Sequence, residues 1–348
     1  MLTPAIADRS LARIRRRCSA GGDLTALRLD LIDELRRTLG FDFYAFLLTD
    51  PQTSVGSAPL AEVPYLPGLP QLIRLKYLTP VNRWTQLTGA VALLRAGGDP
   101  ARSLVWREWL AEHHIGDVAS VVLRDRYGCW GFLDLWRTET HPSFTAADAV
   151  FLAVLAEPVT AALRLGQAAT LLERPPPARR VEPLVLLLSD DLQLLGQTPQ
   201  THEYLRTLIP PPPGRAPIPA SAYNVAAQLL ANESGVDANP PSARVHLADG
   251  VWLTLRAARL DGDPGTASIA VSIEESSPSE RLSLFTCAFG LSAREAELVN
   301  HLAAGADTRE VARLMFLSEH TVQDHLKSVF AKTGLRTRAS LLSHALGS

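Results

Sequence analysis

The chain has 348 residues, of which 47% are hydrophobic and 20% are charged, and its formal net charge is −2. At about 150 residues per domain this length predicts two or three domains, and the composition excludes a mainly disordered chain. A net charge near zero is not typical of a nucleic-acid-binding protein, so nucleic-acid binding has to be argued from a local feature of the sequence.

The composition also bears on where the protein works. The longest unbroken apolar run is Ala149 to Ala156, far short of the ~20 residues that cross a bilayer, and the N-terminus MLTPAIADRSLARIRRRC lacks the apolar core of a signal peptide. Cys18, Cys129 and Cys287 are far apart and form no C-x-x-C pair, which argues against a disulfide framework or a zinc site. We therefore expect a cytoplasmic protein that is not in the membrane.

Proline-rich and polar segments predict the domain boundaries. Three consecutive prolines within 173–183 cannot continue a helix, and this stretch is typical of a stiff, extended linker. A polar, turn-prone break follows at Glu274–Glu280 and predicts a second linker over 276–285. The sequence thus predicts domains over 1–172, 184–275 and 286–348, with the proline cluster from Pro210 to Pro219 as a loop in the middle domain.

The N-terminal segment alternates between helical and strand-like patterns. Asp23 caps a leucine-rich helix that ends at Gly40, and Thr145 caps a long apolar helix that ends near Leu165. Between them the patterns predict a strand over 41–49, helices around 71–78 and 103–114, and two strands over 117–124 and 129–137 joined by the turn Asp125–Gly128. This order describes an antiparallel sheet with helices packed on it, an α+β layer fold.

The end of this segment, YGCWGFLDLWRTETHPSFTAADAVFLAVLAEPVTAAL, resembles the last two strands and the closing helix of a GAF-type sensor domain, a relative of the PAS fold. The resemblance covers most of 24–165, whereas the stretch between Pro51 and Gly98 departs from it. A sensor domain implies a pocket, and pockets are usually apolar and aromatic with a few polar groups. Large aromatic residues also fill ordinary cores. The candidate lining residues are Tyr77, Arg83, Trp84, Trp106 and Trp130, with Arg83 placed to orient an acidic ligand.

Catalysis finds little support in the sequence. His113 and His114 have no carboxylate or cysteine at a useful spacing, and the chain shows no nucleophile elbow, phosphate loop or metal motif. We therefore expect no enzyme activity, no catalytic or metal-binding residues and no cofactor.

The middle segment is predicted to be a second α+β domain. Strands over 184–189 and 192–196, two helices and three further strands resemble a PAS-like domain, with Asp249-Gly250 as a hairpin turn. A phosphorylated receiver domain is the rival interpretation, because Asp190 and Asp191 follow an apolar strand. The segment 184–275 contains no lysine, which a receiver needs, so we reject it. A haem-binding PAS domain through His202 or His246 remains an alternative that an absorption spectrum would test.

The C-terminal segment predicts four short helices. Ser292 and Glu295 form a capping box, Asp307, Ser318 and Thr337 cap the next three helices, and Gly305 and Gly334 end two of them. Val322, Leu326, Val329 and Phe330 lie on one face of the third helix as its buried stripe. Two helices joined by a tight turn at Phe316-Leu317 make a helix-turn-helix. From His325 to Ser348 there are four basic residues and no acidic ones, which suits phosphates.

The pieces LSARE, EVA, SEHTVQDH and KTGLRTR, in this order, closely resemble the LuxR-type helix-turn-helix domain over about 60 residues. By position, the resemblance implies that Gln323, Asp324 and Lys327, joined by His320, face the bases. It implies phosphate contacts for Thr308, Ser318, Thr321, Lys332, Arg336 and Arg338, and a dimer contact for the last helix through Ala339, Leu342 and Ala345. Asp324 departs from the neutral or basic residues of many members, so it either reads a base or excludes wrong sequences by repulsion.

The sequence as a whole predicts a multidomain protein: a GAF-like α+β domain, a PAS-like α+β domain and an all-α four-helix LuxR-type domain. The expected function is a cytoplasmic, homodimeric, one-component transcription regulator that binds double-stranded DNA at a two-fold operator and senses a small molecule or another signal. In the main alternative the front domains bind no ligand and control comes through a partner protein. An enzyme with an appended regulator is the remaining alternative.

Overall fold

The computed structural model describes residues 2–173, 184–208, 218–260 and 268–347. The chain divides into two compact units. The first unit comprises Met1–Leu163, Glu182–Val245 and Leu253–Glu274, and the second comprises Arg164–Val181, His246–Trp252 and Glu275–Ser348. The predicted linker 173–183 lies, apart from Glu173, outside the described residues, and so does most of the proline cluster that was predicted as a loop.

The first unit begins with a five-stranded sheet and its helices, which we call the first sheet module. Its helices are Pro4–Ser19 (α1), Leu24–Leu39 (α2), Leu69–Leu78 (α3) and Ala146–Leu171 (α4). Its strands are Phe43–Thr49 (β1), Gly56–Glu62 (β2), Val91–Leu93 (β3), Ile115–Asp125 (β4) and Gly128–Thr138 (β5). The strand order is β2-β1-β5-β4-β3, with antiparallel neighbours, and the predicted turn pairs Asp125 with Gly128.

Four elements of this module differ from the sequence prediction. Helix α1 was not predicted, and neither were strands β2 and β3, because β2 contains a proline and β3 has only three residues, too few for a periodic pattern. The helix expected over 103–114 contracts to a five-residue π-helical turn at Trp106–Leu110. The Asp23 and Thr145 caps are confirmed, since the Asp23 carboxylate accepts from the Ala26 amide and the Thr145 hydroxyl accepts from the Asp148 amide.

A second five-stranded sheet follows, which we call the second sheet module. It consists of Leu184–Leu188 (β6), Leu194–Gln197 (β7), the helices Pro199–Leu208 (α5) and Ala220–Glu233 (α6), and the strands Ser242–Ala248 (β8), Val251–Leu260 (β9) and Ser268–Glu275 (β10). The strand order β7-β6-β10-β9-β8 repeats that of the first sheet when each set is counted along the chain. The predicted Asp249-Gly250 hairpin turn is confirmed by positive φ angles of 50° and 73°.

Within the first unit a buried ion pair joins the two sheet modules. The Arg244 guanidinium on β8 donates to both carboxylate oxygens of Asp50, at 2.6 and 2.7 Å, and the Arg244 amide donates to the same carboxylate. Burial alone would raise the pKa of Asp50, but the bonds and charge of Arg244 and the Gln52 amide outweigh it and hold this pKa below its ordinary value. Two fully satisfied charges therefore hold β8 against the end of β1.

Besides the end of α4 from Arg164, the described part of the second unit has the helices Pro278–Ala288 (α7), Ala293–Ala303 (α8), Thr308–Leu314 (α9), Glu319–Thr333 (α10) and Arg338–Leu346 (α11). The last four are the four predicted helices. Helix α7 corrects the prediction of a linker over 276–285: Ser277 and Glu280 make a reciprocal capping box and Pro278 occupies the first turn, where it needs no hydrogen-bond donor. The polar residues and the proline that predicted a linker instead form the N-terminal cap and first turn of a helix.

Arg281 of α7 connects three parts of the second unit. Its side chain is buried and donates to the carbonyls of Leu171 at 3.0 Å, Gly250 at 2.8 Å and His344 at 3.2 Å. These carbonyls belong to the end of α4, the β8–β9 turn and α11. One arginine thus holds the end of α4 and the β8–β9 turn to the last helix, α11.

Helix α4 is the one helix, within the described residues, that is long and apolar enough by composition to cross a membrane. Half of its most apolar window is buried inside the protein, including Leu152 and Leu163 at 0% exposure. Core helices of folded domains show the same pattern.

Candidate DNA interface and ligand cavity

The orientation of α10 follows from its caps and its apolar stripe. Ser318 caps the helix by accepting from the Thr321 amide, and Gly334 ends it in the left-handed region at φ 71°. Val322 and Val329 are buried, whereas Leu326 and Phe330, from the same predicted stripe, are half-buried. One side of α10 therefore faces its own domain and the other faces solvent.

The solvent side carries all four side chains predicted to face the bases. His320, Gln323, Asp324 and Lys327 are exposed. The Lys327 ammonium lies 3.0 Å from the Asp324 carboxylate, and the His320 ring lies 3.5 Å from it. The hydrogen bond and charge of Lys327 lower the pKa of Asp324. Because exposed ion pairs contribute little to stability, Lys327 can exchange this partner for another anion at little cost.

The turn before α10 adds an exposed aromatic ring that the sequence prediction treated only as part of a connection. Phe316 has a φ of 56° and is 94% exposed. It lies two residues before the Ser318 cap, at the end of α10 where base-contacting residues of helix-turn-helix proteins are found. The preceding Met315 is buried as expected, but Leu314, which was expected in the core, is 39% exposed.

The six residues predicted to contact phosphate fall into two groups. Arg336 and Ser318 are exposed, and Thr308 and Thr321 are half-buried near the starts of α9 and α10. Lys332 and Arg338 are engaged within the domain: Lys332 pairs with Glu295 at 2.5 Å, and Arg338 donates to the Ala306 carbonyl at 2.5 Å. These two cations connect parts of their own domain.

Glu295 is the polar centre of this domain. Its carboxylate completes the predicted capping box of α8 with Ser292, and it accepts from Lys332 and from the Ser328 hydroxyl of α10. Burial would raise the pKa of Glu295, but these hydrogen bonds outweigh it and lower the pKa to about 2. The same residue that starts α8 therefore fixes the angle at which α10 is presented.

The last helix was predicted to supply the dimer contact through three residues. Ala339 is exposed and Leu342 is half-buried, so both remain available. Ala345 has 0% exposure and faces the core of its own domain. This corrects its assignment, because a residue sealed inside one chain offers no surface to a second chain.

The first unit contains a cavity of about 150 Å³. Its wall is formed by β1, β2, α3 and β5 of the first sheet module and by the start of α6. Most of the lining is apolar. The polar lining side chains are Lys76, Tyr77, Trp84, Asp134, Trp136 and Asn224.

A buried ion pair lies in the cavity wall. The Lys76 ammonium is 2.7 Å from the Asp134 carboxylate and lies over the Trp84 ring, 4.6 Å from its centroid. The Trp84 indole nitrogen donates to the other Asp134 oxygen at 2.8 Å, and Lys76 also reaches the Ser120 hydroxyl at 3.4 Å. The two charges neutralise each other and are held by neighbouring polar groups.

The structure places two of the five candidate pocket residues, Tyr77 and Trp84, on this wall and the other three elsewhere. Trp106 donates to the Ile115 carbonyl at 3.1 Å, and Trp130 donates to Asp125 at 2.9 Å. Arg83 is buried, donates to the Val236 carbonyl and lies 3.7 Å from Asp237, so it has a protein anion rather than an acidic ligand.

Sequence reasoning missed three polar residues of the wall: Lys76, Asp134 and Asn224. An aspartate in the middle of an otherwise apolar strand was the one available signal, because a buried carboxylate needs a partner. Asn224 comes from the second sheet module, and no local pattern connects it with a cavity in the first.

In the part of the chain that the structure describes, no group of three potential metal ligands occurs. His113 stacks on Trp109 at 4.0 Å, and His114 is exposed. His202 lies half-buried on α5, and His246 lies 3.3 Å from Glu173. Burial lowers the pKa of His246, which the Glu173 charge partly offsets.

Comparison with protein families identifies two domains. The family model of bacterial regulatory proteins of the luxR family matches residues 290–345, and the GAF domain model matches residues 23–163. The first match contains α8 to α11 with the exposed face of α10, and the second contains the first sheet module.

Similar curated proteins match a limited part of the chain. The CsgBAC operon transcriptional regulatory protein of Escherichia coli K12 is 42% identical over 55 residues, which cover 16% of this chain and 26% of that protein. The "Probable HTH-type transcriptional regulator GfsR" of Streptomyces halstedii is 34% identical over 95 residues, covering 26% and 39%. The chain thus matches about a quarter to two fifths of the length of these relatives.

Among solved structures, Escherichia coli SdiA aligns over 98% of this chain and 96% of its own, with 13% identity and a TM-score of 0.34.

Proposed function

We propose that this chain, which carries a LuxR-family helix-turn-helix domain behind a GAF domain, is a DNA-binding transcription regulator controlled by a small molecule. The observation that carries the DNA-binding part is the exposed face of α10, where Gln323 and Lys327 are free of the protein core. Gln pairs in a bidentate way with adenine and Lys reaches guanine in the major groove. Asp324 between them would accept from cytosine or repel a phosphate.

The cavity of the first unit favours control by a small molecule over control by a partner protein. Its wall is mostly apolar and carries a few fixed polar groups, which is the composition of a ligand site. A platform for a partner protein needs no internal cavity. The ligand would act by binding one arrangement of the protein more tightly than another, since a ligand with equal affinity for both shifts nothing.

The proposed working form is a cytoplasmic homodimer without catalytic activity, bound to a two-fold operator. Helix-turn-helix dimers bind half-sites about one DNA turn apart, so protein symmetry is mirrored in the operator. The surface left for a contact between copies on α11 includes Ala339 and Leu342.

Selection of bound sequences from a random duplex library by the full chain tests this function. The proposal predicts enrichment of an inverted repeat, and a complex with two protein chains per duplex. Gln323→Ala should relax the base preference at one position of each half-site while leaving the rest of the motif unchanged. Enrichment of no sequence, or binding that ignores salt concentration, would contradict the proposal.

A further inference from the structure

We propose that the cavity of the first unit binds a small neutral molecule, about the size of one substituted aromatic ring, that carries a hydrogen-bond donor and an acceptor, and that Asn224 of the second sheet module contacts it. This inference rests on the proposed control by a small molecule. It adds the chemical class of the ligand and a contact residue that lies outside the segment matched by the GAF model, which ends at residue 163.

The size of the ligand follows from the space. The cavity has about 150 Å³, and an apolar protein cavity of about that volume accommodates one benzene ring. Ala45, Leu47, Leu69 and Leu72 supply apolar surface, and Trp84 and Trp136 contribute aromatic atoms to the lining. A ring or a short alkyl chain fills this space.

The charge of the ligand follows from the ion pair in the wall. Both oxygens of Asp134 already accept a hydrogen bond, one from Trp84 and one from Lys76. Lys76 is in turn held by Asp134, Ser120 and the face of Trp84. A charged ligand would have to break this pair or remain unpaired in a buried site, and burying an unpaired charge is strongly unfavourable. The wall therefore selects a neutral molecule.

The polar groups of the ligand follow from two wall residues whose hydrogen-bonding capacity is unused. Asn224 is 1% exposed. Its side-chain amide nitrogen donates to the Ala220 carbonyl at 2.8 Å. Its side-chain oxygen, Oδ1, has no hydrogen-bond partner among the described residues. Trp136 is 3% exposed, and its indole N–H likewise finds no acceptor in the described parts of the chain. Buried polar groups are nearly always hydrogen-bonded, so the ligand has to supply a donor to Asn224 and an acceptor to Trp136.

The position of Asn224 makes the site composite. Ile218, Ala220 and Asn224 contribute the part of the wall that belongs to the second sheet module, and Tyr77 and Trp84 face it from the first. A molecule in this cavity contacts both modules and stabilises their association within the first unit. The second module is then part of the receptor for this ligand and not an independent sensor.

Titration of the full chain with three probes tests the proposal: benzyl alcohol, toluene, which lacks the hydroxyl, and benzoate, which is charged. Binding is followed by tryptophan fluorescence excited beyond the absorption of the probes. We expect benzyl alcohol to bind at least about tenfold more tightly than benzoate. In Asn224→Leu, the preference for benzyl alcohol over toluene should fall about fivefold, the effect of one hydrogen bond. The ratio of the two affinities is taken within one variant, so an effect of the substitution on cavity shape that is common to both probes cancels.

Ser221→Ala is the matched control, because its hydroxyl is also buried and without a described partner on α6 but is not part of the wall. It should leave the preference unchanged. Ala45→Leu, which fills the cavity, should weaken benzyl alcohol about tenfold or more and provides a second variant if Asn224→Leu does not fold. Failure of every probe to bind the folded wild type, equal binding of benzoate, or an unchanged preference in Asn224→Leu would overturn the proposal. DNA binding measured on the same samples separates this outcome from failure of the regulator function.

Discussion

The recognition helix and the cavity use charged residues in opposite ways. On α10, Lys327 and Asp324 form an exposed pair, and in the proposed function a DNA anion replaces Asp324 as the partner of Lys327 at little cost in stability. In the cavity wall, Lys76 and Asp134 pair at less than a tenth exposure, where neither can change its partner without a large loss of stability. The exposed pair is therefore exchangeable, whereas the buried pair is rigid. The expected effects of substitutions differ accordingly.

The largest effect is expected from Asp134→Ala. It leaves the Lys76 charge and the Trp84 N–H buried without their partner, and breaking a buried pair in this way costs about 3–5 kcal/mol. Unfolding of the full chain in urea should show this loss in the transition of the first unit. The double variant Lys76→Met with Asp134→Leu removes both charges and should recover most of the stability. A single variant as stable as wild type would show that the wall is not rigid.

Removal of the Arg281 side chain should rank next. Arg281→Met keeps the length of the chain but gives up hydrogen bonds to three carbonyls, a loss on the order of 3 kcal/mol. Hydrogen exchange should increase at the end of α4, at the β8–β9 turn and in α11 together. The control Arg294→Ala alters an exposed arginine of α8 that pairs only with Glu297 and should change exchange at none of them. Exchange that increases at one location alone would contradict the connecting role of Arg281.

Acid should weaken the second unit through Glu295. Its folded pKa of about 2 lies below the ordinary value of 4.5, so its stabilising contribution is complete above about pH 4.5 and is lost as the pH falls from there towards 2. The expected loss is on the order of 2 kcal/mol. Glu295→Gln keeps a cap partner for Ser292 and should flatten the pH dependence of unfolding in this window. An identical pH profile in both proteins would exclude Glu295 as the titrating group.

The smallest effect is expected at the start of α10. Ser318→Ala removes the hydroxyl that accepts from the Thr321 amide, and loss of such a cap costs about 1 kcal/mol. Hydrogen exchange of the first turn of α10 measures it. Ser318→Asp keeps the cap and should restore the protection while weakening DNA binding, because it adds a negative charge beside the duplex. If Ser318→Asp binds DNA like wild type, the start of α10 does not approach the phosphates.

The comparison also shows what a sequence can predict. The caps at Ser292, Asp307, Ser318 and Thr337 and the exposed positions Gln323 and Lys327 were all predictable, because each depends on residues within one or two turns of the same helix. A capping box and a helical period are local signals. The helices of this domain are specified almost entirely by such local signals. The prediction failed chiefly at Ala345, because packing between helices decides which side of α11 is buried.

The cavity could not be predicted in the same way. Its wall combines Lys76 of α3, Asp134 of β5 and Asn224 of α6, which are separated by long stretches of chain and brought together only by packing of the two sheet modules. The aromatic content of the segment predicted Trp84 as a lining residue, but it predicted Trp106 and Trp130 equally. The indole N–H groups of these two donate to the Ile115 carbonyl and to Asp125, away from the cavity. Which aromatic residues line the cavity therefore depends on polar partners that are distant in the sequence.

The central claim, that the exposed face of α10 binds the duplex, is tested most directly by the salt dependence of DNA binding. The full chain is titrated with the selected duplex and with an unrelated duplex by fluorescence anisotropy at several salt concentrations. Lys327→Ala should weaken binding to the selected duplex by about 1–3 kcal/mol if the lysine reads a base, and should reduce the salt slope by about one if it contacts phosphate. Asp324→Ala should strengthen binding to the unrelated duplex, because it removes a negative charge from the same face, whereas Arg294→Ala should change neither. Unchanged affinity and salt slope in Lys327→Ala would contradict the account.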